Sequence, residues 1–202
     1  ETANYVIANT DLAEFDYPVG DSNAETSYSG VGGVEIGGAL RRSAFALRFS
    51  APQILFSGYI RSDSQVLYRR SIDERIDALA PWLYTDSDPY PVITDGRVMW
   101  VADCYTVSDR YPYSERYNTI NYLRNSVKVT IDAYDGTTTF YAFDPDDPLL
   151  AAWSEIFPGL LTSADEMPED IAAHLRYPSD LFMAQAEVYK TYHMLDPKVF
   201  YN

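Results

Sequence analysis

Tyr90-Pro91-Val92-Ile93-Thr94-Asp95-Gly96-Arg97-Val98-Met99-Trp100-Val101-Ala102-Asp103-Cys104-Tyr105-Thr106 reads as two strands folded back on an Asp-Gly turn. The flanks are rich in β-branched and aromatic residues, and Asp-Gly supplies the positive φ angles that a tight hairpin turn needs. A second stretch repeats the design: Ser126 to Tyr134, then Asp135-Gly136, then Thr137 to Phe143. There Val127, Val129 and Ile131 alternate with Lys128, Thr130 and Asp132, the period of a strand with one buried face. The two hairpins are expected to pair in one antiparallel sheet.

Outward from this sheet the pattern turns helical. Ser71-Ile72-Asp73-Glu74 is a capping box that predicts a helix to about Ala80, stopped by Pro81. Leu149 to Phe157, ended by Pro158-Gly159, predicts a short helix; Pro168 to Leu175 predicts another. Ser179 to His193 predicts the longest, with Ser179 as its cap. Toward the N-terminus, residues 4–8 and 13–17 read as short strands, and Gly20 to Gly38 as a long loop. Ile36 to Phe49 has helical spacing, with Ile36, Leu40, Ala44 and Leu47 on one face and Arg41 and Arg48 on another. That helix either packs on its own domain or lies in a membrane interface. Pro52 to Ser57 is apolar and unassigned. The order predicts an α+β fold: an antiparallel sheet built from hairpins, flanked by helices, with a helical C-terminal part. It divides into a mixed region, 1–147, and a helical region, 148–202, packed on it as one domain.

The 202 residues are 47% apolar and carry a net charge of −15. The composition is that of a globular chain. The charge argues against nucleic acid as a partner and against wholesale adsorption to anionic lipid. It is unevenly spread: residues 1–35 hold seven acidic and no basic side chains, whereas 36–70 hold six Arg and only Asp63. The basic stretch either pairs with the acidic flanks or forms an Arg-rich face for lipid headgroups or another part of the same molecule. No run of about 18 apolar residues is present to cross a bilayer. The chain starts without Met inside a strand and stops without a tapering tail, which reads as a piece of something longer.

Three features could carry chemistry. Asp109-Arg110-Tyr111-Pro112-Tyr113-Ser114-Glu115-Arg116-Tyr117 offers flat rings beside charged hydrogen-bonding groups, as glycan and peptide sites do. Its candidate ligand residues are Asp109, Arg110, Tyr111, Tyr113, Glu115, Arg116 and Tyr117; the alternative is a loop whose Arg–acid pairs and hydroxyls knit the domain together. Asp144-Pro145-Asp146-Asp147 places Asp144, Asp146 and Asp147 in one rigid turn, which suits calcium and equally suits an ordinary turn and cap. Asp86-Ser87-Asp88 is a second acidic turn. The lone Cys104 excludes an intrachain disulfide and reads as core. His174 and His193 have no ligand spacing and read as structural; Gly30, Gly32 and Gly33 lack the strand and Lys of a phosphate loop.

The blocks Glu14-Phe15-Asp16-Tyr17-Pro18, Asn121-Tyr122-Leu123-Arg124-Asn125-Ser126, Asp132-Ala133-Tyr134-Asp135-Gly136, Asp144-Pro145-Asp146-Asp147-Pro148, Phe157-Pro158-Gly159-Leu160 and His174-Leu175-Arg176-Tyr177-Pro178 together resemble Uncharacterised Protein Family 0182, over nearly the whole chain. The resemblance implies a bacterial parent with N-terminal transmembrane helices and a large soluble region in the cell membrane's extracytoplasmic space, of which this chain is part. It implies no reaction, ligand or catalytic residue. Two readings follow. One is a non-enzymatic extracytoplasmic domain for assembly, envelope interaction or ligand binding, its partners the membrane portion of the same protein and other envelope proteins or glycans. The other is an envelope enzyme with a carboxylate acid near residues 109–117, acting on glycan or lipid-linked substrates.

Overall fold

The computed structural model describes residues 5–200. The chain forms two compact units: one reaches to Ser71 and includes Tyr134–Gly136, and the other takes Ile72–Ala133 and the chain from Thr137 on. The first contains β1 (Tyr5–Ala8), β2 (Glu14–Val19), β3 (Ser22–Thr26), β4 (Val34–Glu35), α1 (Ala39–Arg48), α2 (Gln53–Phe56) and β5 (Gln65–Tyr68). The second contains α3 (Ile72–Leu79), β6 (Tyr84–Thr85), β7 (Tyr90–Thr94), β8 (Arg97–Ser108), β9 (Tyr122–Asp132), β10 (Thr138–Ala142), α4 (Pro148–Ile156), β11 (Leu161–Ser163), α5 (Glu169–Ala172), α6 (Ser179–Tyr192) and α7 (Pro197–Phe200). This is the α+β arrangement expected, with a helical C-terminal part. Among the described residues no helix is long and apolar enough to cross a membrane.

In the second unit, Asp95 and Gly96 take φ of +48° and +73° and join Thr94 to Arg97, which pair directly. The long strand β8 then runs beside β9 from Met99↔Asp132 to Ser108↔Tyr122, with one irregularity between Cys104 and Thr106. The sheet order is β11-β10-β9-β8-β6, with β7 also on β8, and β11 is parallel to β10. The turn after β9 is wider than Asp135-Gly136 alone: the Asp132 N–H donates to the Thr137 carbonyl at 2.9 Å, leaving residues 133–136 as the loop. Only Gly136 there has positive φ, so the two-residue geometry expected from the sequence is not adopted.

The alternation along β9 marks two covered faces instead of one. Every residue from Ser126 to Asp132 is buried. Val127, Val129 and Ile131 pack with Ala102, Cys104 and Phe140 of the sheet, Ile76 of α3 and Leu150 of α4. On the other face Val101 and Tyr141 pack with Met167 and with Ile171 of α5. The polar residues of that face find partners there: Lys128 pairs with Asp103 and donates to Asn125 Oδ1 at 3.1 Å, and Asp132 meets Arg97 at 2.7 Å. A buried charge is tolerable only when paired in this way.

The helix termini follow their signals with two adjustments. α3 and α4 begin and end where the capping box, Pro148 and Pro158-Gly159 place them, Gly159 taking φ of +84°. α5 is shorter than expected, ending at Ala172. α6 is not capped by Ser179, whose hydroxyl goes instead to Asp88 at 3.3 Å; Asp86 supplies the cap by accepting from the Asp180 N–H at 2.9 Å.

In the first unit β1, β5 and β4 form one antiparallel sheet, and β2 pairs with β3. The stretch expected as loop thus contains β3 and β4; Ser22–Thr26 is polar and largely exposed, so it lacks the alternation that marks a strand. The unassigned apolar run holds α2. The first expected strand is β1; its residue Asn4 lies outside the described residues. The inner face of α1 is also not the expected one. Ile36 is fully buried, but it precedes the helix; Ala46 is buried and Phe45 and Phe49 pack beside it, whereas Leu40 and Leu47 face outward. Phe49 stacks on Tyr5 at 4.4 Å and on Phe45 at 5.7 Å, and these ring contacts fix the helix's rotation.

Cys104 sits in the core with no exposed surface, and burial pushes its thiol up to about 12. The thiolate is the reactive form. We therefore expect an aromatic disulfide reagent to leave native Cys104 unmodified and to titrate one thiol per chain once denaturant has unfolded the protein.

Candidate functional site

Between β8 and β9 the chain makes an excursion, Asp109 to Asn121, closed at its base by the Asn121 N–H to the Ser108 carbonyl at 2.9 Å. A second closure joins Tyr117 and Ile120, whose N–H groups reach each other's carbonyls at 2.8 and 3.2 Å. The Asn121 side chain holds the excursion inward: its Oδ1 accepts from the Tyr111 N–H at 2.9 Å and its Nδ2 donates to the Tyr111 carbonyl at 2.8 Å. Tyr113 takes φ of +59° at the outermost point and is fully exposed.

The candidate ligand residues of this segment divide. Asp109 faces Arg110 at 3.7 Å and Arg116 at 3.9 Å in solvent, pairs long and exposed enough to contribute little. Tyr111 stacks on Tyr122 at 5.6 Å. Glu115 and Tyr117 alone of the seven line a groove, together with Ile120, Leu123 and, from α6, Leu181, Ala184, Val188 and Tyr189. Its volume is about 560 Å³, and Asn121 and Gln185 add amides to a mainly apolar lining. The α6 wall was not singled out in the sequence, although Leu181, Ala184 and Val188 recur at helical spacing.

Buried carboxylates pin both sides of the groove. Asp147 is fully buried and caps α4 by accepting from the Leu149 N–H at 3.0 Å. The same carboxylate accepts from Tyr122 at 2.6 Å, from Ser126 at 2.6 Å and from Thr106. Tyr122 lines the groove, so this network positions one wall. Burial works to raise the Asp147 carboxyl, but the hydroxyls of Ser126, Thr106 and Tyr122 outweigh it and hold it below the ordinary range. On the other side, Asp86 accepts from the buried Tyr105 hydroxyl and from Asp180 N–H, and Tyr105 accepts from Leu181 N–H at 3.2 Å. Burial and neighbouring Asp86 push the Tyr105 phenol well above its ordinary value.

The acidic turn is therefore used piecemeal. Asp144 pairs with Arg124 at 2.7 Å, Asp146 is exposed, and Asp147 is occupied by its four donors. Among the described residues no group of three or more His, Cys, Asp or Glu side chains is placed to hold a metal ion. His174 and His193 lie with Nδ1 at 2.6 Å from the Asp170 carbonyl and 3.2 Å from the Tyr189 carbonyl, each within its own helical turn.

The model of Uncharacterised protein family UPF0182 matches residues 1–202. The chain belongs to this family. A UPF0182 protein of Desulforamulus reducens is 49% identical over 201 residues, which cover 98% of this chain and 22% of that protein. UPF0182 proteins of Sulfurovum sp. and Clostridium acetobutylicum are each 48% identical, covering 100% of this chain and 23% and 22% of themselves. The chain thus spans about a fifth of the length of the curated relatives it matches. No solved structure matches.

Because the Asp147 carboxyl is depressed in the folded state, its contribution to stability is complete above its ordinary value and is lost as pH falls through the folded value. Urea melts between pH 7 and 2 should show an acid limb, below about pH 4, that is shallower in Asp147→Asn. At pH 7 Asp147→Ala should cost about 2–4 kcal/mol, from the lost cap and the orphaned hydroxyls.

Proposed function

We propose that this chain is a non-enzymatic binding domain on the extracytoplasmic side of a membrane-anchored UPF0182 protein, and that it holds an apolar peptide segment in the groove between residues 114–123 and α6. The observation that carries this reading is the groove's chemistry: aromatic and aliphatic walls, two amides and one exposed carboxylate. Such a lining fits apolar side chains, orients a peptide backbone through Asn121 and Gln185, and offers Glu115 to a cationic group. The share of the relatives that this chain spans leaves some four-fifths of their length as a source of such a segment, and envelope proteins are a second source. The extracytoplasmic placement rests on the resemblance to membrane proteins of the family.

A carboxylate general acid has less support. Such an acid needs a raised pKa beside the reacting group. The buried carboxylate nearest this groove by connection, Asp147, is held ionised by its hydroxyl donors. Glu115 is exposed.

Two experiments test the proposal in the full-length protein in cells. A photo-crosslinking residue at Val188, which is half exposed in the groove, should capture a protein segment, whereas the same residue at Tyr113 should not. Equal capture at both positions would sink the groove reading. Tyr113→Cys should be labelled in intact cells by a membrane-impermeant maleimide, with no background from this region because Cys104 is buried. Labelling only after cell lysis would place the domain inside.

A further inference from the structure

The first unit holds a cavity of about 420 Å³ whose lining, unlike that of the groove, is mainly polar. Glu14 of β2 and the pair Arg61 and Asp63, from the turn before β5, bring three charged groups to it. Thr10 and Ser27 add hydroxyls. The volume is that of a site for a small molecule.

One residue holds these segments together. Asn9 follows β1 with φ of +59°, in the left-handed region that Asn enters more readily than most side chains. Its main-chain N–H donates to Glu14 Oε1 at 2.5 Å, and its side-chain amide donates to the Tyr28 carbonyl at 2.8 Å. Its own carbonyl accepts from the hydroxyl of fully buried Ser64 at 2.7 Å, and that hydroxyl accepts from the Arg61 N–H at 2.9 Å. Three stretches of the cavity wall are thus tied to one backbone position, and the Glu14 carboxylate is aimed instead of free to turn. The Arg61 guanidinium is held as well: its Nε and Nη2 reach the two oxygens of Asp63 at 3.0 and 2.6 Å. That fork uses one edge of the guanidinium and leaves its other N–H groups for a further acceptor. Polar groups fixed before a ligand arrives spare it the cost of ordering them.

We propose that this cavity binds a neutral sugar, as a single pyranose unit held through its ring hydroxyls by Glu14, Arg61 and Asp63. Carboxylates only accept hydrogen bonds and a guanidinium only donates them. A ligand that satisfies all three groups must do both, and a hydroxyl does. Neighbouring hydroxyls on a sugar ring can bridge the two oxygens of one carboxylate, or a carboxylate and the guanidinium beside it. The C–H face of the ring suits the apolar part of the lining, Leu12, Ala13 and Tyr28. A charged ligand fits less well. An anion would meet two carboxylates and a cation already paired with one of them, and an ammonium would meet the Arg61 guanidinium without offering it an acceptor. The site lies wholly within the first unit and does not rest on the groove or on any segment bound there.

The test is saturation-transfer NMR on the 202-residue chain with millimolar methyl glycosides of glucose, galactose, mannose and N-acetylglucosamine, against glucuronate and glucosamine. At least one neutral glycoside should receive saturation, and the two charged sugars should not. Glu14→Gln keeps an oxygen for the Asn9 N–H but removes the charge, and should weaken binding roughly tenfold; Arg61→Gln should do the same. Unchanged melting should confirm that both variants fold. Tyr113→Ser, in the excursion of the second unit, should bind as the unaltered chain does. No transfer to any neutral glycoside, equal transfer to the charged sugars, or undiminished transfer in both cavity variants overturns the proposal. Transfer to glucosamine alone would overturn it in favour of a cationic ligand.

Discussion

One buried carboxylate ties three elements of the second unit together. Asp147 begins α4, and its two oxygens take donors from β8, from two positions of β9 and from the helix's own first turn. Taking a carboxylate out of water is costly, and four donors are what make it tolerable. They also make it directional, because α4 can start only where Thr106, Ser126 and Tyr122 converge. This is also where the β8–β9 ladder slips register, between Cys104 and Thr106, shortly before the chain leaves the sheet for the excursion at Asp109. The irregularity and the buried network therefore belong to one device, which shifts the register of the last pairs and aims Tyr122 at the groove.

The opposite wall is held by the same physics. α6 has no side-chain cap of its own. Asp86, from the turn before β7, fills that role across a separation of 94 residues and is itself fixed by Tyr105. A groove whose two sides are each anchored to the sheet by a buried carboxylate is preformed, and a preformed groove avoids the ordering cost that a flexible one imposes on its ligand.

The sheet was legible because its signals are local. Asp95-Gly96 between two β-rich runs admits one backbone solution, and the alternation of Val127, Val129 and Ile131 fixes register without reference to anything distant. The face of α1 was misread for a physical reason. Periodicity says that a helix has an apolar stripe, and α1 has two: the rings of Phe45 and Phe49 won the interior, leaving Leu40 and Leu47 outside. The acidic turn was ambiguous for a different reason. Three carboxylates close in sequence suit a cation, a cap or an ion pair equally, and what separated them lies 20 to 41 residues away, in Arg124, Ser126, Tyr122 and Thr106. The groove needed the same long-range information. Glu115 and Tyr117 were visible as candidates, but their partners on α6 become neighbours only once the Asp86 cap has set that helix's start.

Burial decides which cations must be matched. In the second unit three basic side chains are matched to carboxylates of the sheet and the turn after it: Lys128 to Asp103, Arg97 to Asp132, Arg124 to Asp144. Lys128, Asp103 and Asp132 are buried, and an unpaired buried charge there would cost more than the fold can offset. Arg48, Arg69 and Arg70, which have no carboxylate within 4.0 Å among the described residues, escape that requirement because they are exposed.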